Sequence, residues 1–194
     1  MLEKIIQLDK QLLVFLNSLG SEPFDGFWLL ITKQLHWAPV FLFVFYLLQK
    51  KLGWKNFGIV ILMLALLIFF TDRMTELVKA TVQRLRPCND PEINSMIRIV
   101  KSSSTYSYFS GHAANSMAST VLIFSLMKKY YRHAYLLFLF PLIFAYSRIY
   151  LGLHFPGDIL SGYLFGIFSG YMFYRLYLIV LKKYFPELQN PANG

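Results

Sequence analysis

Acidic residues are scarce in this chain: 10 Asp and Glu stand against 19 Lys and Arg, and only 15% of residues carry charge. A soluble domain covers its surface with more charge than that, so a water-facing globular domain is excluded. There is one cysteine, Cys88, which excludes an internal disulfide and reads as an incidental loop residue. No His, Cys or carboxylate cluster has metal-ligand spacing, so no metal and no cofactor are expected. No basic stretch followed by an apolar core and a small-residue cleavage site opens the chain, so no removable leader is expected. Internal repeats and low-complexity tracts are also missing. The formal net charge of +9 would suit a nucleic-acid partner, but the basic residues sit in short clusters at the ends of apolar blocks. That distribution excludes nucleic acid in favour of membrane topology.

What the chain has is apolar length. Hydrophobic residues make up 56% of it and aromatics 18%, with blocks over 57–70, 134–146 and 159–181. Allowing small and hydroxyl residues inside, each block extends toward the roughly 20 residues that cross a bilayer. Five spans are expected, near 24–48, 56–78, 111–128, 133–151 and 157–181. Before them, Ile5, Leu8, Leu12, Phe15, Leu16 and Leu19 recur at helical spacing with Lys4, Asp9, Lys10 and Asn17 opposite. That pattern predicts an amphipathic helix within residues 1–22, lying at the interface. The expected fold is all-α: a single polytopic membrane helix bundle over 1–194, with six helices and a C-terminal tail at 184–194.

Lys50, Lys51, Lys55, Lys128, Lys129, Arg132, Lys182 and Lys183 fall at span ends on one side, which the positive-inside rule makes cytoplasmic. Lys79, Arg84, Arg86, Arg98, Lys101 and Arg148 gather on the other side, against that rule. An anionic ligand is the simplest reason. The longest polar loop, 87–109, lies on that same side. In the last span Gly162, Gly166 and Gly170 repeat every four residues and leave a smooth face for a neighbouring helix.

Three polar constellations interrupt the apolar pattern. In KATVQRLRP, Lys79 and Arg86 are seven apart and are expected near one face of a helix that Pro87 ends; taken alone, an interfacial basic cluster explains them as well. In YFSGHAANS, Ser110, Gly111 and His112 open a span, where unsatisfied N–H groups and a close backbone suit phosphate. Ser110 alone reads as an N-cap, and His112 alone as a satisfied histidine. In SRIYLGLHFPGD, Arg148 ends one span while His154 and Asp158 straddle the start of the next. A carboxylate on one ring nitrogen leaves the other as a nucleophile, although a structural His–Asp hydrogen bond is the alternative. Together the parts describe phosphoryl transfer: cations and N–H groups hold oxygens, one histidine attacks and the other protonates the leaving alcohol.

K-x6-R-P at 79–87, S-G-H at 110–112 and S-R-x5-H-x3-D at 147–158 resemble, in order and spacing, the signature motifs of the type-2 phosphatidic-acid phosphatase superfamily. The short helical architecture is similar to the bacterial membrane lipid phosphatase branch. The resemblance implies a metal-independent mechanism in which His154 forms a phosphohistidine, Asp158 orients it and His112 protonates the departing oxygen. Lys79, Arg86, Ser110, Gly111 and Arg148 would bind phosphate. Phe109 departs from the pattern, where the family commonly has Pro. The soluble haloperoxidase branch shares the motifs, but the apolar spans argue against it.

The expected function is therefore a lipid phosphate or diphosphate phosphatase at the outer, periplasmic face of a bacterial cytoplasmic membrane. Undecaprenyl diphosphate, phosphatidylglycerol phosphate and a lipid A phosphate all fit as substrate, and no protein partner is indicated. A lipid phosphotransferase with the same nucleophile and a non-enzymatic anion-binding membrane protein are the alternatives. Arg98 and Lys101 are candidates for headgroup recognition, beside the plainer reading of a solvated basic loop.

Overall fold

The computed structural model describes residues 2–189; the part of the expected tail over 190–194 lies outside the described residues. Six α-helices follow one another: α1 (Leu2–Ser18), α2 (Asp25–Ile31), α3 (Ala38–Val82), α4 (Gly111–Met127), α5 (Leu139–Tyr150) and α6 (Pro156–Tyr184). Gly53 breaks α3 with φ 74°, a left-handed conformation open to glycine, so 38–52 and 54–82 are separate crossing segments. A 3-10 turn at Ala134–Phe138 lengthens the 12-residue α5. About five crossing segments result. Leu42, Phe43, Leu62, Phe69, Leu164 and Phe168 are exposed on them, an apolar belt suited to lipid.

Two boundaries differ from the sequence expectation. The span expected at 24–48 is divided: α2 stops at Ile31, Lys33 is extended, and the crossing helix starts at Ala38. Capping explains the stop, because the Trp37 indole N–H donates to Ile31 O at 2.9 Å and His36 Nδ1 lies 3.0 Å from Leu30 O. Those contacts satisfy carbonyls that a continuing helix would have used. The second difference is that Pro87 does not end the helix carrying Lys79. Gln83 does, in the left-handed region at φ 52°, its N–H bonded to Lys79 O. Arg84 and Arg86 therefore leave the helix face and point independently.

The bundle centres on α4 and α6, and the glycine stripe sets their approach. A Cβ on Gly162 would sit 2.7 Å from Ser110 O, and one on Gly166 2.6 Å from Ala114 O. Only bare backbone fits there; without a hydrophobic drive between helices in lipid, such close van der Waals packing holds the pair. Above the stripe, Leu67, Leu122 and Phe173 are buried together, and Tyr177 donates to Asn56 at 2.6 Å.

The ends of the bundle carry different side chains. Lys50, Lys51, Lys129 and Lys182 line one cavity of about 770 Å³, where the alternate span ends meet. The motif residues occupy the other ends of the same helices. Helix α1 lies across that second end, with Leu13 and Asn17 buried while Ile5, Leu8 and Phe15 are exposed. The apolar stripe read from the sequence thus faces outward, and the polar face packs on protein.

Candidate active site

The glycine stripe also registers the motifs. By drawing α6 onto α4 it lets the Ser110 N–H donate to Asp158 O at 3.0 Å. Gly111 then packs on α3, where a Cβ would lie 3.1 Å from Thr75 Cγ2. Ser110 is the N-cap of α4, its hydroxyl 3.4 Å from the Ala113 N–H. The first-turn N–H groups of Gly111 and His112 have no acceptor within the helix.

His154 and Asp158 are fully enclosed, at 1% and 0% exposure. Asp158 sits in the first turn of α6, and its Oδ2 accepts the Phe155 N–H at 3.0 Å while lying 3.3 Å from His154 Nδ1. On the other side of the ring, Arg86 Nη1 is 3.1 Å from Nε2. A guanidinium only donates, so Nε2 must hold the lone pair and Nδ1 the proton. This is the tautomer a nitrogen nucleophile requires, fixed from both sides. Burial first, and then the charges of Arg86, Arg148 and Lys79, hold the imidazole well below its usual value, so it stays neutral.

The remaining cations differ in how far they are committed. Arg86 is held by Thr105 O and Thr105 Oγ1, each at 2.9 Å, and by Leu153 O at 3.0 Å. Arg148 donates from Nη1 to Thr32 Oγ1 at 2.6 Å, yet its buried Nε has no hydrogen-bond partner among the described residues. An orphaned buried donor is costly, and a phosphoryl oxygen would satisfy it. Lys79 and Gly111 line a cavity of about 520 Å³ with half-buried His112, whose ring stacks on Phe144 at 5.3 Å. Asp72, Glu76 and Asn115 line the same cavity, and Asn115 donates to Asp72 at 2.6 Å. Phe109 is buried and packs on Phe165 of α6 at 5.1 Å. Among the described residues, no group of three His, Cys, Asp or Glu side chains is placed to hold a metal ion.

Arg98 and Lys101 do not join this set. Arg98 donates to both Asp25 carboxylate oxygens at 2.9 Å, and its backbone N–H is held by Asn17 at 2.7 Å. Lys101 is exposed and joins the fold through its backbone N–H on Leu151 O. Residues the motifs do not name complete the site: Thr105 and Thr32 aim two arginines, and Ser107 bonds the carbonyls of Arg84 and Leu85. Arg84 itself reaches Asp158 Oδ1 at 2.8 Å and Asp9 Oδ2 at 2.7 Å. The sequence signal for Arg84 was its place among the cations that gather opposite the lysine-rich span ends. Asp9 gave none beyond its polar face.

A family model described as the PAP2 superfamily matches residues 56–181. A lipid A 4'-phosphatase of Bacteroides thetaiotaomicron is 34% identical, over 100% of this chain and 88% of that protein. A lipid A 4'-phosphatase of Porphyromonas gingivalis is 25% identical, over 94% and 78%. The crystal structure of a transmembrane PAP2-type phosphatidylglycerolphosphate phosphatase from Bacillus subtilis superposes with a TM-score of 0.70 at 16% identity, covering 93% of this chain and 89% of that one.

Proposed function

This chain belongs to the PAP2 superfamily and is a membrane lipid phosphatase of that type, and from that premise we propose that it removes a phosphate from a lipid A-type lipid through a phosphohistidine on His154. The observation that carries the mechanism is the fixed tautomer, with Nε2 held as acceptor by Arg86 and Nδ1 facing Asp158. The two lipid A 4'-phosphatase relatives, spanning most of their own length, support the substrate.

In this reading the phosphoryl group enters beside Arg86 and Arg148, where its oxygens satisfy Arg148 Nε and take the N–H groups of Gly111 and His112. Lys79 and the hydroxyl of Ser110 complete the clamp. The Nε2 lone pair forms the N–P bond as the bond from phosphorus to the sugar oxygen breaks, and His112 gives that oxygen its proton. Asp158 stabilises the cationic ring left on His154. Water, deprotonated by His112, then cleaves the N–P bond, releasing inorganic phosphate and restoring neutral His154. Nothing in these steps calls for a metal. The lysine-rich end is cytoplasmic by the positive-inside rule, which puts the site at the outer face of the cytoplasmic membrane, within reach of a headgroup whose tails stay in lipid.

The test is phosphate release by the purified protein with EDTA present, from lipid A, phosphatidylglycerol phosphate and undecaprenyl diphosphate. Release from lipid A above the other two, unaffected by EDTA, is expected. Preference for either of the others overturns the substrate, and label moving to a second lipid without free phosphate would make it a phosphotransferase.

A further inference from the structure

The buried carboxylate behind His154 is not alone. Arg84 spans two acids, Nη1 on Asp158 Oδ1 at 2.8 Å and Nη2 on Asp9 Oδ2 at 2.7 Å. Its guanidinium lies over the Phe155 ring at 3.7 Å, which holds the fork flat between them. Asp9 uses its other oxygen to accept the Gly157 N–H at 2.7 Å, in the first turn of the helix that carries Asp158. A Cβ on Gly157 would come within 2.8 Å of that same carboxylate, so the approach depends on glycine. Asp9 belongs to α1, which Lys10 also fastens to the motif loop through Asp90 at 2.9 Å and Glu92 at 2.8 Å.

From this geometry we infer that Arg84 and Asp9 are positioning residues for the reaction, and that α1 is thereby a working part of the active site; this rests on His154 being the nucleophile. The reason is charge balance. A carboxylate at 0% exposure stays ionised only with a counter-charge at hand. Arg84 supplies it, but alone would cancel the charge that the attacked imidazole needs. Asp9 restores the balance: two carboxylates and one guanidinium leave a single net negative charge behind His154. That matches the one positive charge the ring gains when Nε2 bonds to phosphorus. The same bridge keeps Asp158 Oδ2 turned to Nδ1 by occupying Oδ1.

The experiment compares kcat and KM of phosphate release for wild type, Arg84→Gln, Arg84→Lys, Asp9→Asn and Gly157→Ala, with thermal unfolding in detergent beside each. Arg84→Gln is expected to lower kcat on the order of 100-fold and Asp9→Asn about 10-fold, with KM little changed, the range seen when outer supports of a reacting group are removed. Arg84→Lys should recover part of the loss. Gly157→Ala keeps every ionisable group yet displaces Asp9, and should resemble Asp9→Asn. Because the paired residues act as a unit, Asp9→Asn added to Arg84→Gln should cost little more. Unchanged kcat in Arg84→Gln, a change confined to KM, or a lower kcat that Arg84→Lys does not recover at all would each overturn the inference. A wild type that releases no phosphate from any lipid would instead overturn the phosphatase mechanism on which it rests.

Discussion

The two ends of the bundle are both cationic, yet they use charge in different ways. At one end Lys50, Lys51, Lys129 and Lys182 are exposed around an open cavity and, among the described residues, form no ion pair. At the other, Arg84, Arg86 and Arg148 are largely buried, and each is aimed by at least one named acceptor: Asp158 and Asp9 for Arg84, Thr105 and Leu153 for Arg86, Thr32 for Arg148. The residue types follow the jobs. A lysine ammonium is a hydrated point charge that suits topology, whereas a guanidinium is a rigid fork that orients. Commitment to named partners is what sets the second cluster apart, and it is the feature the proposed mechanism uses.

Substitutions should separate the ends sharply. His154→Ala should reduce phosphate release on the order of 10⁴-fold or more, measured on purified, monodisperse protein; residual release near wild type would mean another group attacks. Arg148→Lys keeps the charge but removes the planar fork, and kcat/KM should fall about 100-fold. A fall within threefold there would reduce the site to the same diffuse electrostatics as the lysine end. Lys51→Gln with Lys129→Gln should leave turnover within about threefold, as exposed charges contribute little. Gly166→Val attacks the register between the ends: a side chain 2.6 Å from Ala114 O must push α6 off α4. It should destabilise by about 1–3 kcal/mol, read as a lower unfolding midpoint, and lower activity by moving Asp158 from Ser110.

The smallest expected effect concerns pH. A histidine held neutral in the fold but free to protonate when unfolded favours the folded state at pH above its unfolded value, near 6.5. Stability is then lost as pH drops below that value. His154→Asn should flatten this part of the curve of unfolding midpoint against pH, and an unaltered slope would show that burial does not hold the ring neutral.

The sequence pointed to the candidate residues more clearly than to their geometry. Spans at 111–128 and 157–181 match α4 and α6 closely because apolar runs and a glycine stripe are local signals. Lys79, His112, Arg148, His154 and Asp158 stood out through spacing within short motifs, and the structure puts Lys79 beside His112 and Asp158 beside His154. The end of α3 was not: Gln83 takes a left-handed conformation usually marked by glycine, while Pro87 offered the stronger local stop. Periodicity picked out the apolar stripe of α1 as a single face. Ile5, Leu8 and Phe15 of the stripe are exposed, and polar residues such as Asp9 and Asn17 face protein. The bridge from Asp9 to Arg84 joins residues 75 positions apart, beyond any local pattern.

In the proposed mechanism His154 carries the phosphoryl group. The most direct measurement is to mix purified protein with lipid A labelled in its phosphate, quench within a turnover, and test the protein for acid-labile, base-stable label. The mechanism predicts such label on wild type, mapped to the peptide containing His154, and none on His154→Ala. Label that persists in His154→Ala, or phosphate release from a wild type that never carries label, would contradict it.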